Sequence, residues 1–417
     1  MRNRLRCRPA FKYRNSDIHE SVLIVRRIGK LWRFLRYFLS ARKVWHWPRQ
    51  SEVLILDAAG SEFLLEYLRP WNPETLHVRG ERINIPVLLA SLAKSGRRAD
   101  AYIDCFIQRV HPRLVVTWVD NNIGFYFLAE RNRNIRTLFV QNGPRGSEVF
   151  EELDRMPATS RPRVDQMLVV ANRYIPLYTR RFDGNVVTMG SLRNNQAPKR
   201  HVRKAGTIAF ISQYRDTEGF VWGGKFRTRR EFFERADKFV LAFLLEYAKT
   251  HGKELFIIPC AGHYKDGTPA KERAYYNRLM GQDFRFSEWR WHGSSYDAVD
   301  TAEVVVGIDS TMGYESATRG NKTALFAMRS QILQMKDRVF AWPLPYADDG
   351  PFWTNRADTA AFGRILDHLF AISDEQWKAE LDEHHFSQVM AYDPGNTILQ
   401  SVLWQELGAP PQMDQKQ

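Results

Sequence analysis

Only three cysteines occur in 417 residues, Cys7, Cys105 and Cys260. They are far apart, odd in number and form no C-x-x-C pair, so neither a disulfide framework nor a cysteine zinc site is indicated, and a reducing cytoplasm fits best. The chain has no GxxxxGK[ST] loop and no GxGxxG after its first strand, which leaves an NTPase or a dinucleotide oxidoreductase unsupported. There is no GxSxG elbow of a serine hydrolase. No Asp-x-Asp occurs, which argues against the metal-dependent, single-domain class of nucleotide-sugar transferases. No run reaches the roughly 18 uncharged apolar residues of a membrane-spanning helix. His384 and His385 are adjacent, so on a helix they point about 100° apart and make poor joint ligands. Neither a metal nor a cofactor is expected. Internal repeats and low-complexity segments are also missing.

Acids are scarce in one place. Residues 1–50 hold fourteen Lys or Arg but only Asp17 and Glu20, giving +12 of the net +14 and leaving +2 for the other 367 residues. From Ile24 to Leu39, the residues Ile24, Ile28, Leu31, Trp32, Leu35, Phe38 and Leu39 fall on one helical face. Arg26, Lys30, Arg33 and Arg36 fall on the other. Arginines interrupt every apolar run, so this is no secretory signal. A basic amphipathic helix bearing Trp and Phe suits an anionic membrane surface. The same pattern also fits a first helix packed on the protein with its arginines in water. No nucleic-acid-binding signature accompanies the charge.

What remains is long enough for two domains and 44% hydrophobic. After Pro48, strand-like runs ending in polar loops alternate with helices: "SEVLILDAAGSEFLLEYL", "HPRLVVTWVDNNIGFYFLAERN" with a strand at Leu114–Val119, "IRTLFVQNGPRG", "DQMLVVANRYIPLYTRRF" and "NVVTMGSLRNN". That alternation argues a parallel sheet covered on both faces. "NNQAPKRHVRKAG", residues 194–206, reads as a linker. The pattern restarts with "TIAFISQYRD", a long helix in "RREFFERADKFVLAFLLEYAKTHG", "KELFIIPCAGH", a helix near Lys271–Met280, "FRFSEW", a helix in "SSYDAVDTA" and the stretch "VVVGIDSTMGYESATRGNKTALF". The expected organisation is a leader at 1–50, a Rossmann-like domain at 51–193, a linker at 194–206, a second Rossmann-like domain at 207–372 and a helical tail at 373–417.

Candidate site residues cluster where strands end. In the first domain they are Asp57, Asp120 with Asn121, Gln141-Asn142-Gly143 and Ser191 to Asn195. In the second they are Ser212-Gln213-Tyr214-Arg215, His263 and Asp309-Ser310-Thr311. Joint placement on the facing edges of two sheets indicates an interdomain cleft. Ser310 and Thr311 stand where a buried strand meets a helix. They would cap its orphan amides or, with those amides and the helix dipole, hold a phosphate. Arg193 and Arg215 at facing strand ends would neutralise phosphate charge or form structural ion pairs. A carboxylate on a rigid strand end can deprotonate a hydroxyl or attack a carbon. Asp120 is the first candidate, unless it merely caps the following helix, and Asp57 is the second.

The pieces "VLILDAAGSEFLL", "VVTWVDNNIGFYFL", "LFVQNG", "VTMGSLRNN", "AFISQYRD" and "VVVGIDSTMGYESATRG" together resemble the GT-B surface-carbohydrate biosynthesis glycosyltransferases over residues 51 to 327, and more distantly the Kdo transferases of capsule and lipopolysaccharide synthesis. The resemblance implies a GT-B-like α/β fold, two Rossmann-like domains with parallel sheets facing a central cleft. It implies a nucleotide-sugar donor in the second domain and a glycan or glycolipid acceptor in the first. Under it, Ser310 and Thr311 hold the donor phosphate and Glu315 accepts ribose hydroxyls. Gly313 allows close approach, Gly320 stops the helix, and Asp309, Ser212, Gln213 and Arg215 line the donor side. Gln141, Asn142, Gly143, Arg193 and Asn121 line the cleft. The expectation is a metal-independent glycosyltransferase on the inner face of the cell membrane, with a CMP-sugar such as CMP-Kdo as donor and Asp120 as nucleophile. The rivals are a CDP-donor polyol-phosphate transferase and a non-catalytic membrane adaptor of the same fold.

Overall fold

The computed structural model describes residues 38–95, 99–155, 161–200, 202–222, 225–260, 268–288 and 293–409. The expected amphipathic helix at Ile24–Leu39 falls almost wholly outside these residues, as does His263. Among the described residues no helix is long and apolar enough to cross a membrane.

Eight strands precede the crossover: β1 (Arg42–Val44), β2 (Val53–Leu56), β3 (Glu74–Leu76), β4 (Arg82–Asn84), β5 (Leu114–Thr117), β6 (Arg136–Val140), β7 (Arg163–Val169) and β8 (Asp183–Thr188). Six of them form one parallel sheet in the order β3-β2-β5-β6-β7-β8. Strands β2 and β5 (VLIL, LVVT) are buried at every position. Unbroken apolar runs of this kind form strands covered by helices on both faces. β1 and β4 pair as a separate parallel ribbon.

Beyond the crossover come β9 (Lys204–Ile211), β10 (Gly219–Trp222), β11 (Lys225–Thr228), β12 (Glu254–Ile258), β13 (Ala302–Gly307), β14 (Thr323–Phe326) and β15 (Trp353–Thr354). A second parallel sheet runs β12-β9-β13-β14-β15, and β10 and β11 make an antiparallel hairpin. This is the GT-B-like arrangement of two α/β sheets, and the loops at the carboxyl ends of both sheets touch. A Cβ added to Gly143, after β6, would stand 3.2 Å from the Thr311 hydroxyl after β13. The Ser147 amide donates to Asp337 Oδ2 at 2.9 Å, and the Arg173 guanidinium lies between the rings of Tyr174 and Tyr314.

Several details differ from expectation. The expected linker at 194–206 is partly ordered secondary structure: Leu192–Gln196 is a short helix and β9 already starts at Lys204. "FRFSEW", left without an element type by its sequence, contributes one isolated bridge, Phe286 to Ile257. The long helix opens with a π-helical turn at Arg230–Glu234 before Arg235–Thr250. One point agrees with the helical reading of the tail: the last helix, Thr397–Leu407, packs back on the first sheet, where Leu399, Val402, Leu403 and Leu407 join Ile55, Val116 and Leu138.

The crossover is clamped by one buried pair. Arg319 and Asp300 are both fully buried, and the guanidinium donates to Asp300 and to the carbonyls of Asn194, Ala197 and Pro198. The returning strand of chain lies beside it. Asn195 Nδ2 donates to Met189 O at 2.9 Å and to Asn396 Oδ1 at 3.0 Å, and Asn396 Nδ2 reaches Tyr67 and Leu192.

Candidate active site

The helix Thr311–Thr318 enters the cleft from β13. Its N-cap, Ser310, has extended backbone angles suited to capping, yet its side chain makes no capping hydrogen bond. At the other end Gly320 adopts a φ of +84° and returns its amide to Ala317, the left-handed stop that glycine allows. Gly313 allows a close approach: a Cβ there would come 2.8 Å from Leu325 Cδ2 and 3.8 Å from Gly307 Cα, so this glycine lets the helix press on its own sheet.

Glu315 lies one turn in and is buried. Its Oε2 accepts from the Tyr296 hydroxyl at 3.0 Å, while Oε1 has no partner. A buried carboxylate oxygen without a donor is costly unless something supplies one. Burial and the Glu315 charge push the Tyr296 phenol far up, with Arg193 opposing them from the other domain. Arg193 stacks over Phe63 and Trp118, at 5.4 and 5.2 Å. Its Nε and the Trp118 Nε1 are buried without partners, as are Ser295 Oγ and Gln141 Nε2. Arg193, Trp118 and Gln141 in the first domain and Ser295 and Glu315 in the second thus each carry a buried polar atom without a partner.

The remaining donor-side residues serve the scaffold. Asp309 is ion-paired with Arg329 and, at 3.4 Å, with Arg338; burial alone would raise its carboxyl, but these two cations hold it below the usual range. Arg329, which sequence reading missed, is fully buried and also donates to Gln213 Oε1 and, at 2.8 Å, to the Phe232 carbonyl. Behind it Asp237 is pushed up to about 6 by burial, against Arg329 and two tyrosine hydroxyls. Ser212 Oγ bonds Glu272 and Tyr276 and accepts the Tyr214 amide. Ser212, Gln213 and Asp309 are therefore tied into the loops at the strand ends by these bonds. Arg215 is exposed and reaches Cys260 Sγ and the Tyr214 carbonyl. Of the donor-side candidates, Ser310 makes no capping bond, Thr311 abuts Gly143 of the first domain and Glu315 keeps an unpartnered, buried oxygen.

The acceptor side needs a larger correction. Asp120 is fully buried, its carboxylate gripped by Arg145 through two nitrogens and bonded by the Tyr178 hydroxyl at 3.2 Å and the Asn142 amide at 3.4 Å. A carboxylate so enclosed neither attacks a carbon nor collects a proton from a substrate. It fixes the loop instead, with Asn142 Oδ1 accepting from the same arginine. The neighbouring helix is capped by Asn122, whose Oδ1 accepts the Gly124 amide, and not by Asp120; Asn121 is exposed. Gln141 Oε1 accepts the Val170 amide at 3.0 Å.

Asp57 sits at the end of β2 with φ +74°, an uncommon conformation for an aspartate, and pairs with Arg79 at 2.7 Å. Beside it, after β3, is His77, which sequence reading also missed because "ETLHV" is too short to mark as a strand. Its Nδ1 is buried without a partner. Burial lowers the imidazole's proton affinity, Arg82 lowers it further, and Glu81, Asp57 and Glu74 oppose. His77 also lines a cavity of about 150 Å³ together with Arg42, Arg82, His46, Glu74 and Tyr102.

One carboxyl pair bridges the domains. Glu148, in the first turn of the helix Ser147–Asp154, faces Asp337 and is pushed up to about 7 by burial and by that neighbour, with Arg338 opposing. Its folded-state affinity for a proton exceeds the unfolded one. The resulting stabilisation is complete below the ordinary glutamate range and is lost as pH rises through about 7. The melting temperature of the wild type is expected to fall from pH 5 to pH 8 relative to Glu148→Gln, which carries no such proton. Parallel curves for the two proteins would show that the pair is not protonated across the cleft.

Residues 138–407 match a protein-family model described as "putative O-antigen biosynthesis protein". No curated protein sequence matches the chain. Among solved structures, sucrose-phosphate synthase from Thermosynechococcus elongatus is similar at 13% identity and TM-score 0.48, over 87% of this chain and 100% of that one. The wall teichoic acid polymerase TagF with CDPG is similar at 11% identity and TM-score 0.47, over 86% and 89%. UDP-GlcNAc 2-epimerase from Methanocaldococcus jannaschii is similar at 9% identity and TM-score 0.45, over 84% and 99%.

Proposed function

Because the chain belongs to this O-antigen biosynthesis protein family, whose model spans 270 of its 417 residues (138–407), we propose that it is a glycosyltransferase. In this reading it moves a sugar from a nucleotide donor to a growing surface polysaccharide or a lipid-linked glycan at the inner face of the cell membrane. The observation that carries the reading is the start of the helix Thr311–Thr318. A capping serine that caps nothing stands there, one turn from a buried glutamate with an idle oxygen and opposite Gly143 of the other domain. Helix amides and two hydroxyls suit a donor phosphate. Glu315 Oε1 suits a ribose hydroxyl, and Arg193 and Trp118 offer donors to the transferred sugar. Proton removal from the acceptor falls to His77, with Asp57 beside it. The motif resemblance makes a CMP-activated sugar such as CMP-Kdo the first donor to test.

The test is a thermal-shift panel of CMP, CDP, UDP, GDP and ADP, followed by donor turnover. A ligand at 100 times its dissociation constant should stabilise by about 2.7 kcal/mol. Ser310→Ala/Thr311→Ala should abolish the shift from the preferred nucleotide while costing no more than a cap, ~1 kcal/mol, in intrinsic stability. Glu315→Gln should weaken nucleosides as well as nucleotides. An unchanged shift in the double variant would return these hydroxyls to a structural role. A nucleotide shift without donor turnover would favour an adaptor, and turnover of a CDP-polyol would favour phosphate transfer.

A further inference from the structure

The folded first domain carries an apolar face of its own. In the helix Ile85–Ser95 the residues Pro86, Leu89, Leu92 and Ala93 share one side. Leu89 is 62% exposed and Leu92 43%. The opposite side of that helix is packed, with Val87 and Ser91 buried. The ribbon β1–β4 brings a second segment alongside: Val44 pairs with Asn84, and Asn84 Nδ2 holds the His46 carbonyl at 2.9 Å. This sets Trp45, 73% exposed, next to the start of the leucine-bearing helix. Leu39 just before the ribbon is 69% exposed, and Trp47 is half covered by the Arg109 guanidinium 4.1 Å above its ring.

The charge around this face is predominantly basic, although Glu81 stands at the ribbon and Glu74 pairs with Arg49. Residues 38–50 and 82–98 together contain seven Lys or Arg and no Asp or Glu. Arg42, Arg49, Arg82 and Lys94 are exposed there. The 37 residues that precede the face add eleven Lys or Arg against two acids. Exposed leucines and a tryptophan on neighbouring segments with a net basic surround are unusual on a soluble surface. A protein partner's groove would need no such excess of one sign. An anionic lipid surface fits both features, because it takes apolar side chains into its interface and phosphates beside the basic groups.

We propose that Leu89, Leu92, Trp45 and Leu39 form a membrane-docking face of the folded domain, which inserts shallowly into an anionic bilayer surface. The basic leader supplies a second, electrostatic attachment, and stable anchoring generally takes two such signals. The proposal does not depend on sugar transfer, since binding is read without any donor.

Flotation of the full chain with vesicles containing phosphatidylglycerol, and with pure phosphatidylcholine vesicles, tests it. The wild type should float with the anionic vesicles only, and less so in high salt. Leu89→Asp/Leu92→Asp leaves the whole leader in place and should cut the bound fraction by roughly tenfold or more. Trp45→Ser should weaken binding as well, and both variants should melt with the wild type because these side chains face water. Undiminished flotation of both variants would overturn the proposal. So would equal binding of the wild type to phosphatidylcholine. Variants that melt well below the wild type yet still float would mean the leader itself covers this face.

Discussion

Arg319→Met is expected to cost roughly 3–5 kcal/mol of stability, the usual loss when one partner of a buried ion pair is removed. Three carbonyls of the crossover segment, those of Asn194, Ala197 and Pro198, lose their donor at the same time. Asp300 would retain only the Asn321 side chain and the Arg200 amide for a charge with no access to water. Arg319→Lys should rescue little, because an ammonium cannot reproduce a planar five-donor fork that reaches Asp300 on one side and the crossover on the other. Arg319→Met/Asp300→Leu should melt above Arg319→Met, since the uncompensated carboxylate goes with its partner. Thermal unfolding of the three variants checks this. A melting point of Arg319→Met within a degree or two of the wild type would show that the crossover is held by other contacts.

That residue illustrates what the sequence could and could not disclose. "ATRG" at the end of a helix reads as a basic last turn before a glycine stop, and Gly320 with its φ of +84° is that stop. Nothing local indicates that Arg319 turns inward to a partner nineteen residues away and to a segment over 120 residues away. The parallel sheets were legible because their strands are unbroken apolar runs bounded by polar loops, and such runs state their own burial. Short elements were not: β1, β3, β4 and β15 have two or three residues each and carry no period. The site divides along the same line. Strand-end position drew attention to Ser310, Thr311 and Gly143, and the structure sets Thr311 and Gly143 against each other. It equally drew attention to Asp120, where the decisive fact is non-local, an arginine twenty-five residues on that encloses the carboxylate. His77 escaped because its strand is three residues long, and what distinguishes it is an unpartnered ring nitrogen, visible only once its neighbours are placed.

His77→Gln is expected to lower the rate of sugar transfer by about 10²–10⁴-fold, the usual contribution of a general base. Nucleotide binding, which the proposed reading assigns to the other domain, should remain at the wild-type level. The imidazole must be neutral to accept the acceptor's proton. Burial and Arg82 hold its pKa below the ordinary histidine value, so the acid limb of kcat/KM should lie below about 6.5. The neighbours then set the direction in which that limb moves. Arg82→Gln removes a charge that disfavours protonation and should shift the limb to higher pH. Asp57→Asn removes one that favours it and should shift the limb lower, with a loss of activity if the carboxylate also orients the ring. A purely structural histidine would alter stability without moving a kinetic pKa, so the paired opposite shifts separate the two roles. Near wild-type transfer by His77→Gln, or a limb that neither neighbour moves, would remove His77 from the reaction and leave Asp57, freed from Arg79, as the acceptor-side base.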